Sequence, residues 1–250
     1  MTQAFLRIED RVLNAEDIAA LLEKYNLLPQ LAREAIIDRA IEEIAIAPDE
    51  IERTCESFWN QRQLLQPEVQ KQWLWQQGIT PEQLREKLLR ELKILKFKKD
   101  TWSNHLSDYF LLRKSSLDGV VYSLVRTSNL NIAQELYFRI QTGESLFAEV
   151  ARQYSLGPEA QTGGLVGPVE LSRLDPALAE VLVSSEIGQL RPPLQFGEWS
   201  ILLRLEERIP AQLNGIMEQK LLDELFESWL QERVTEVVQQ HKLERHLVTQ

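Results

Sequence analysis

Three histidines, one cysteine and a scatter of hydroxyls are what this chain offers for metal binding, proton transfer or nucleophilic attack. Their spacing supports little of it. His241 and His246 are five apart, whereas two metal ligands on one helix face stand three or four apart. Cys55 is the single cysteine, so neither an intrachain disulfide nor a cysteine zinc cluster can form, and in a helical stretch it reads as a small buried hydrophobe. Ser115, Ser116 and Asp118 make a polar connector with no histidine beside them to complete a nucleophilic triad. No metal and no cofactor are expected. The segment that does stand apart is 154–168, YSLGPEAQTGGLVGP, which holds four of the ten glycines and two of the ten prolines. Its glycines offer backbone shapes that residues with a Cβ resist.

The elements around that loop follow from pattern. With 250 residues and 44% hydrophobic composition the chain can bury one large core or two modest ones. Lys+Arg 28 against Asp+Glu 38 leaves a formal net charge of -10, which argues against nucleic acid or an anionic membrane as partner. The basic run KFKKD at 96–100 lies in a helical pattern and reads as a solvated face. The first residues carry no apolar run of seven and three acidic residues by position 16, so neither a secretory leader nor membrane insertion is expected and the cytoplasm is the expected compartment.

From Asn14 to Lys114 the periodicity is helical. Asn14 with Asp17, and Thr80 with Gln83, have the spacing of helix-opening caps, and Pro29, Pro48 and Pro81 punctuate further starts. A bundle of about four to six helices is expected. Whether the helix after Thr80 runs on through Trp102 and Leu112 or kinks near Asp100 is left open by periodicity. Trp73 and Trp75 read as lying beside the loop after a third helix; with Trp59 they are packing residues or, if a pair is exposed, a peptide-binding patch. The character changes at Asp118-Gly119, where VVYSLVR has strand composition. A strand at 120–126, helices at 130–141 and 146–154, a short strand near Leu165, a helix at 176–183 and strands near Leu190 and at 199–206 make a mixed unit. After Pro210, Met217, Leu221, Leu225 and Trp229 recur four apart on a long helix that has no bundle of its own. The economical arrangement docks it on the N-terminal helices, giving a helical domain over 1–117, a mixed domain over 118–208 and a returning helix over 209–250.

Four pieces of the middle region occur in one order: TGESLFAEVARQYS after a helix, GGLVG, LDPALAEVL, and the FG that leads into ILLRLEE. In that order and spacing they resemble the parvulin family of peptidyl-prolyl cis-trans isomerases. With helical flanks, the whole is similar to the SurA-like and PrsA-like foldases, whose helical part binds unfolded polypeptide. The resemblance implies an α+β fold: a helical chaperone-like domain with an inserted parvulin-like domain of a small antiparallel sheet and surrounding helices.

Active parvulins place two histidines, an Asp or Cys and a Ser or Thr at the floor of a proline pocket. Here the first histidine position matches Tyr122, the acid or thiol position Gly157, and the hydroxyl position Leu194. The last histidine becomes Trp199, or Ser200 or Ile201 in a shifted alignment. All three histidines of the chain, His105, His241 and His246, lie outside the middle region. Val166 and Leu174 stand at apolar pocket positions and Leu178 where a Phe is usual. Tyr122 and Trp199 could donate hydrogen bonds to a substrate carbonyl, and equally they could be core aromatics of adjacent strands. Two functions follow from the resemblance: isomerisation of Xaa-Pro bonds in unfolded or exported polypeptides through a divergent pocket, or polypeptide binding without catalysis as a chaperone or export adaptor. Either implies proline-containing clients and no nucleic acid.

Overall fold

Asn14 opens the first helix as its spacing to Asp17 requires. The Asp17 N–H donates to Asn14 Oδ1 at 2.8 Å and the Asn14 N–H to Asp17 Oδ2 at 3.0 Å, satisfying two N–H groups that the helix cannot. Helix α1 (Ala15–Lys24) follows a short antiparallel hairpin, β1 (Leu6–Ile8) and β2 (Arg11–Leu13). The computed structural model describes residues 6–248.

Helices α2 (Leu28–Ile41), α3 (Pro48–Gln61) and α4 (Pro67–Gln77) each carry a proline in the first turn, where its missing N–H costs nothing. Gly78, left-handed at φ +66°, ends α4. The Thr80–Gln83 capping box starts α5 (Pro81–Trp102), and a turn of 3₁₀ helix at Ser103–His105 separates it from α6 (Leu106–Leu117). The alternative that periodicity left open after Thr80 is thus resolved as two helices, broken at Trp102, close to the kink considered near Asp100.

Two compact units divide the chain: one of the described residues up to Leu106 and from Gly215 onward, the other of Ser107–Asn214. The first is helical, apart from the β1–β2 hairpin. The last helix, α10 (Gly215–Val248), buries Phe226, Leu230 and Val234 against Ile37 and Ile41 of α2, with Trp102 packed edge to face on both Phe97 and Trp229 around them. A separate cluster joins Ile51 of α3, Leu74 of α4 and Leu84 and Leu88 of α5. Trp59 and Trp73 pack at right angles to each other and to Phe58, while Trp75 is 82% exposed, so the described tryptophans of this region present one open indole and no exposed pair.

The second unit holds β3 (Gly119–Thr127), α7 (Leu130–Gln141), α8 (Phe147–Tyr154), β4 (Leu165–Glu170), α9 (Pro176–Val183), β5 (Leu190–Phe196) and β6 (Trp199–Ile209). The strands form an antiparallel sheet in the order β4-β3-β6-β5. Side chains alternate across it. One face packs Val125 and Leu202 against Leu136, Phe147, Val150 and Ala151 of α7 and α8. The other gathers Val120, Tyr122, Leu124, Ile201, Leu203 and Leu205, covered in part by Leu171 and by Leu182 of α9. The fold is α+β, a helical unit with a small-sheet unit inserted in it.

Candidate functional site

The second face of the sheet carries the residues the sequence marks. Tyr122, 4% exposed, stands opposite Val166 on β4 and Leu205 on β6. Half-buried Val166, Leu174, Leu178, Leu194 and Trp199 pack against the same cluster, together with Phe196. Burial pushes the Tyr122 phenol above its ordinary value; Arg126 draws it back and Glu159 adds to the rise. The group is therefore a neutral donor at any physiological pH, and its hydroxyl takes no hydrogen-bond partner among the described residues. The Trp199 indole N–H likewise has none.

Register decides which of these groups can act together. Tyr122 pairs with Leu205, Leu124 with Leu203 and Arg126 with Ile201, and Trp199 lies six residues along β6 from Leu205. At about 3.3 Å per residue that is about 20 Å of strand. Tyr122 and Trp199 share a face but cannot hold one amide between them. Trp199 pairs with Phe196 at the β5–β6 turn and Leu194 pairs with Ile201. Of the three residues that could match the last histidine, Trp199 and Ile201 face Tyr122's side. Ser200 points the other way, its hydroxyl donating to Gln195 Oε1 at 3.0 Å.

The glycine-rich loop is tied to β3 beyond the end of β4. Leu124 N–H donates to Gly164 O at 2.8 Å, Leu156 N–H to Arg126 O at 3.0 Å, and Arg126 N–H to Ser155 Oγ at 3.0 Å. Gly167, at φ +112°, enters β4 so close to β3 that a Cβ there would lie 2.6 Å from Val120 O. Only glycine fits both conditions.

Gly157 is required for a different reason. Its backbone is extended, φ -104° and ψ 175°, which any residue adopts. A Cβ on it would lie 2.2 Å from Glu159 Oε2 and 2.5 Å from Arg126 Nε. Glu159, 4% exposed, folds back into that space. Arg126 grips it with both ends of its fork, Nε to Oε1 at 2.8 Å and Nη2 to Oε2 at 2.9 Å, and Ser155 Oγ donates to Oε1 at 2.6 Å. Position 157 carries no acid of its own, yet a carboxylate occupies the space beside it, delivered from two residues on. Sequence reasoning missed this Arg126–Glu159–Ser155 group. The available signal was an acid two residues after a glycine in a loop that must run beside a strand arginine.

Groups elsewhere do less. Burial pushes the Cys55 thiol up, with Glu52 adding and Arg85 opposing, so it is a poor nucleophile. His241 Nε2 lies 3.1 Å from Glu23 Oε1. The helical unit also has a groove of about 510 Å³ between α3 and α5, floored by Phe58, Leu88, Leu92 and Leu95 and rimmed by Arg53, Arg62 and Lys87. Arg62 lies over the Phe58 ring, 3.9 Å from its centroid. No helix among the described residues is long and apolar enough to cross a membrane.

Comparison with known proteins points to the same unit. Residues 125–207 match the family described as Rotamase: PPIC-type PPIASE domain. The chain is 23% identical over 188 residues to a foldase protein PrsA of Caldanaerobacter subterraneus, an alignment that covers 72% of this chain and 61% of that protein. It is 34% identical over 112 residues to a chaperone SurA of Pseudomonas fluorescens, covering 40% of this chain and 26% of that protein. The chain thus spans less than two thirds of the length of these relatives. Among solved structures, a peptidylprolyl isomerase (PrsA) from Bacillus cereus aligns over 99% of this chain and 92% of its own, at 17% identity and a TM-score of 0.47.

Proposed function

The chain carries a parvulin-type rotamase domain over residues 125–207, and from that premise we propose that it is a foldase that accelerates cis-trans isomerisation of Xaa-Pro bonds in unfolded polypeptides. Amide resonance sets a barrier of about 18–20 kcal/mol, and lowering it needs no nucleophile or metal. A site need only bind the twisted amide better than the planar one. The observation that carries the reading is the Tyr122 hydroxyl, without a hydrogen-bond partner among the described residues, on an apolar face shared with Val166, Leu124, Leu203 and Ile201. In this mechanism the apolar face seats the pyrrolidine ring and excludes water, while the phenol anchors the carbonyl half of the bond. Leu174, Leu178 and Leu194 complete the slot. Gly157 serves by making room for Glu159, and Trp199, too distant for the same amide, stacks on the client segment beyond it.

NMR exchange spectroscopy on a neutral Xaa-Pro peptide, with catalytic amounts of protein, tests this directly. Faster interconversion, reduced about fivefold by Tyr122→Phe as loss of one neutral hydrogen bond of about 1 kcal/mol allows, is the expected result. Saturable binding with unchanged exchange would leave the second reading, client holding without turnover. The groove between α3 and α5 favours that reading for the helical unit, because its apolar floor and charged rim suit an extended polypeptide. Exported polypeptides as clients and the cytoplasm as compartment belong to the same proposal. Crosslinked-client identification and cell fractionation read them.

A further inference from the structure

Arginine is almost never buried without a partner, and a buried guanidinium N–H left without an acceptor is costly. The sheet of the second unit has four arginines, and three obey the rule. Arg126 on β3 is gripped by Glu159, Arg204 on β6 donates to Glu206 at 2.8 Å, and Arg208 on β6 donates to the carbonyls of Leu182, Val183 and Ser185. Arg191 on β5 is the exception. It is half-buried, its Nε is sealed from solvent with no hydrogen-bond partner, and no described residue forms an ion pair with it.

Its place in the sheet gives the exception a direction. Arg191 pairs with Leu203, which pairs in turn with Leu124, so all three stand in one row on the face that holds Tyr122. That row lies between the row of Tyr122 and the row of Arg126. Arg126 is paired with Glu159, so among the described residues Arg191 is the sheet arginine of this face without an anion. β5 is also an edge strand, and Pro192 and Pro193 follow Arg191 directly. Successive N–H groups of a strand point to opposite sides, so the proline pair removes one donor from the open edge and one from the β6 side, where the register shifts, and this weakens the edge as a template for an added strand. Recognition along this edge falls to side chains.

We infer that Arg191 is an anion anchor that gives the site a preference for clients with an aspartate or glutamate close to the proline. With Nε sealed, the outer Nη1–Nη2 edge of the planar fork is what meets a client carboxylate, with two hydrogen bonds. Two strand spacings, about 10 Å, separate Leu124 from Arg191. With the proline ring on the Leu124–Leu203 floor, a client advancing about 3.8 Å per residue brings an acidic side chain to Arg191 from one or two positions away. The chain's formal net charge of -10 works against acidic clients in general, so a preference for them requires a local cation of this kind.

This inference rests on the isomerase site proposed above, and the test separates the two. Acetylated and amidated peptides that differ only in Glu against Gln, one or two residues from a single proline, are titrated into the full chain at about 0.1 M salt, where long-range steering is screened beyond about 10 Å. The Glu peptide should bind about tenfold tighter than its Gln twin, the scale of a charge-assisted hydrogen bond. Arg191→Gln should bring the ratio to within about twofold, and Arg191→Glu should favour a Lys-containing peptide instead. Equal affinity of the Glu and Gln peptides for the wild type, with exchange of both accelerated, overturns the anchor and leaves the isomerase standing. A preference that survives Arg191→Gln also overturns it. Absence of binding by every peptide overturns both. The wild-type comparison needs no variant, so a misfolded substitution does not protect the inference.

Discussion

Gly157→Ala should be destabilising although alanine is permitted there by every backbone criterion. At φ -104° and ψ 175° the change alone would favour folding by about 0.4–1 kcal/mol, because alanine restricts the unfolded chain more than glycine does. The new Cβ, however, would come within 2.2 Å of Glu159 Oε2 and 2.5 Å of Arg126 Nε, distances that no Cβ sustains. The carboxylate must move, and because it is buried and held from two sides its movement strains or breaks the two-pronged contact to Arg126 and the bond from Ser155. Breaking a fully buried pair costs about 3–5 kcal/mol. The Glu159 side chain is 2% exposed but that of Arg126 is 32% exposed, so solvent recovers part of the loss and about 2–4 kcal/mol is reasonable. The net expectation is about 2 kcal/mol against the variant. Because the chain has two units, a single unfolding midpoint would blur the effect. Hydrogen exchange of the β3 amides, including Leu124 N–H on Gly164 O, reads the second unit alone. Protection equal to or above wild type would refute the steric argument. A sharper control places Gly157→Ala in a Glu159→Ala background, where the obstacle is gone and alanine should be neutral or stabilising; an equal cost in both backgrounds would show that Glu159 is not the cause.

Three further outcomes follow from the same geometry. Tyr122 has a folded-state pKa above its unfolded value near 10, so the unfolded chain loses the proton first; stability is intact below about pH 10 and falls as pH rises through the folded value. Urea midpoints at about pH 8 and about pH 11 should differ less in Tyr122→Phe than in wild type, and an identical alkaline loss would remove Tyr122 from the account. Trp199→Ala should weaken binding of long client peptides more than of short Xaa-Pro peptides, measured by titration, since Trp199 lies about 20 Å along the strand from the Tyr122 row; equal losses would place it at the amide. Leu203→Ala removes a fully buried side chain from the pocket floor and should cost about 2–5 kcal/mol by amide exchange, with peptide binding lost in parallel.

Much of the architecture could be read because local chemistry dictates it. The capping boxes at Asn14 and Thr80 depend on residues three apart, and the elements from Gly119 to Ile209 begin and end within a few residues of where composition puts them. Helix α4 was hidden even though Pro67 opens it and Gly78 closes it, because Leu74 is its one buried residue and QKQWLWQQ shows no apolar stripe. The β1–β2 hairpin, with strands of three residues, is specified by pairing that no short window contains. The break between α5 and α6 is a 3₁₀ turn of three residues, too short to disturb the periodicity on either side.

The site was legible one residue at a time and illegible as an arrangement. Alternation along β3 and β6 puts Tyr122, Trp199 and their apolar neighbours on one face, and that follows from strand geometry alone. How far apart they stand does not, because it depends on which β6 residue each β3 residue meets. That pairing is offset by a bulge between Val121 and Tyr122, a feature of two strands at once. The same limit explains Glu159 and Arg191. In sequence, one is an acid in a loop and the other a basic residue before two prolines, with nothing to distinguish them. Folding makes them opposites: Glu159 completes Arg126 through the gap that Gly157 leaves, whereas Arg191 is left with a buried donor and no acceptor. No histidine lies in the sheet unit, so none of the proposed site's groups is an imidazole of that unit. What the proposed site would use in their place depends on which charges folding neutralises, and among the described residues Arg191 is the sheet arginine left with a buried donor and no acceptor.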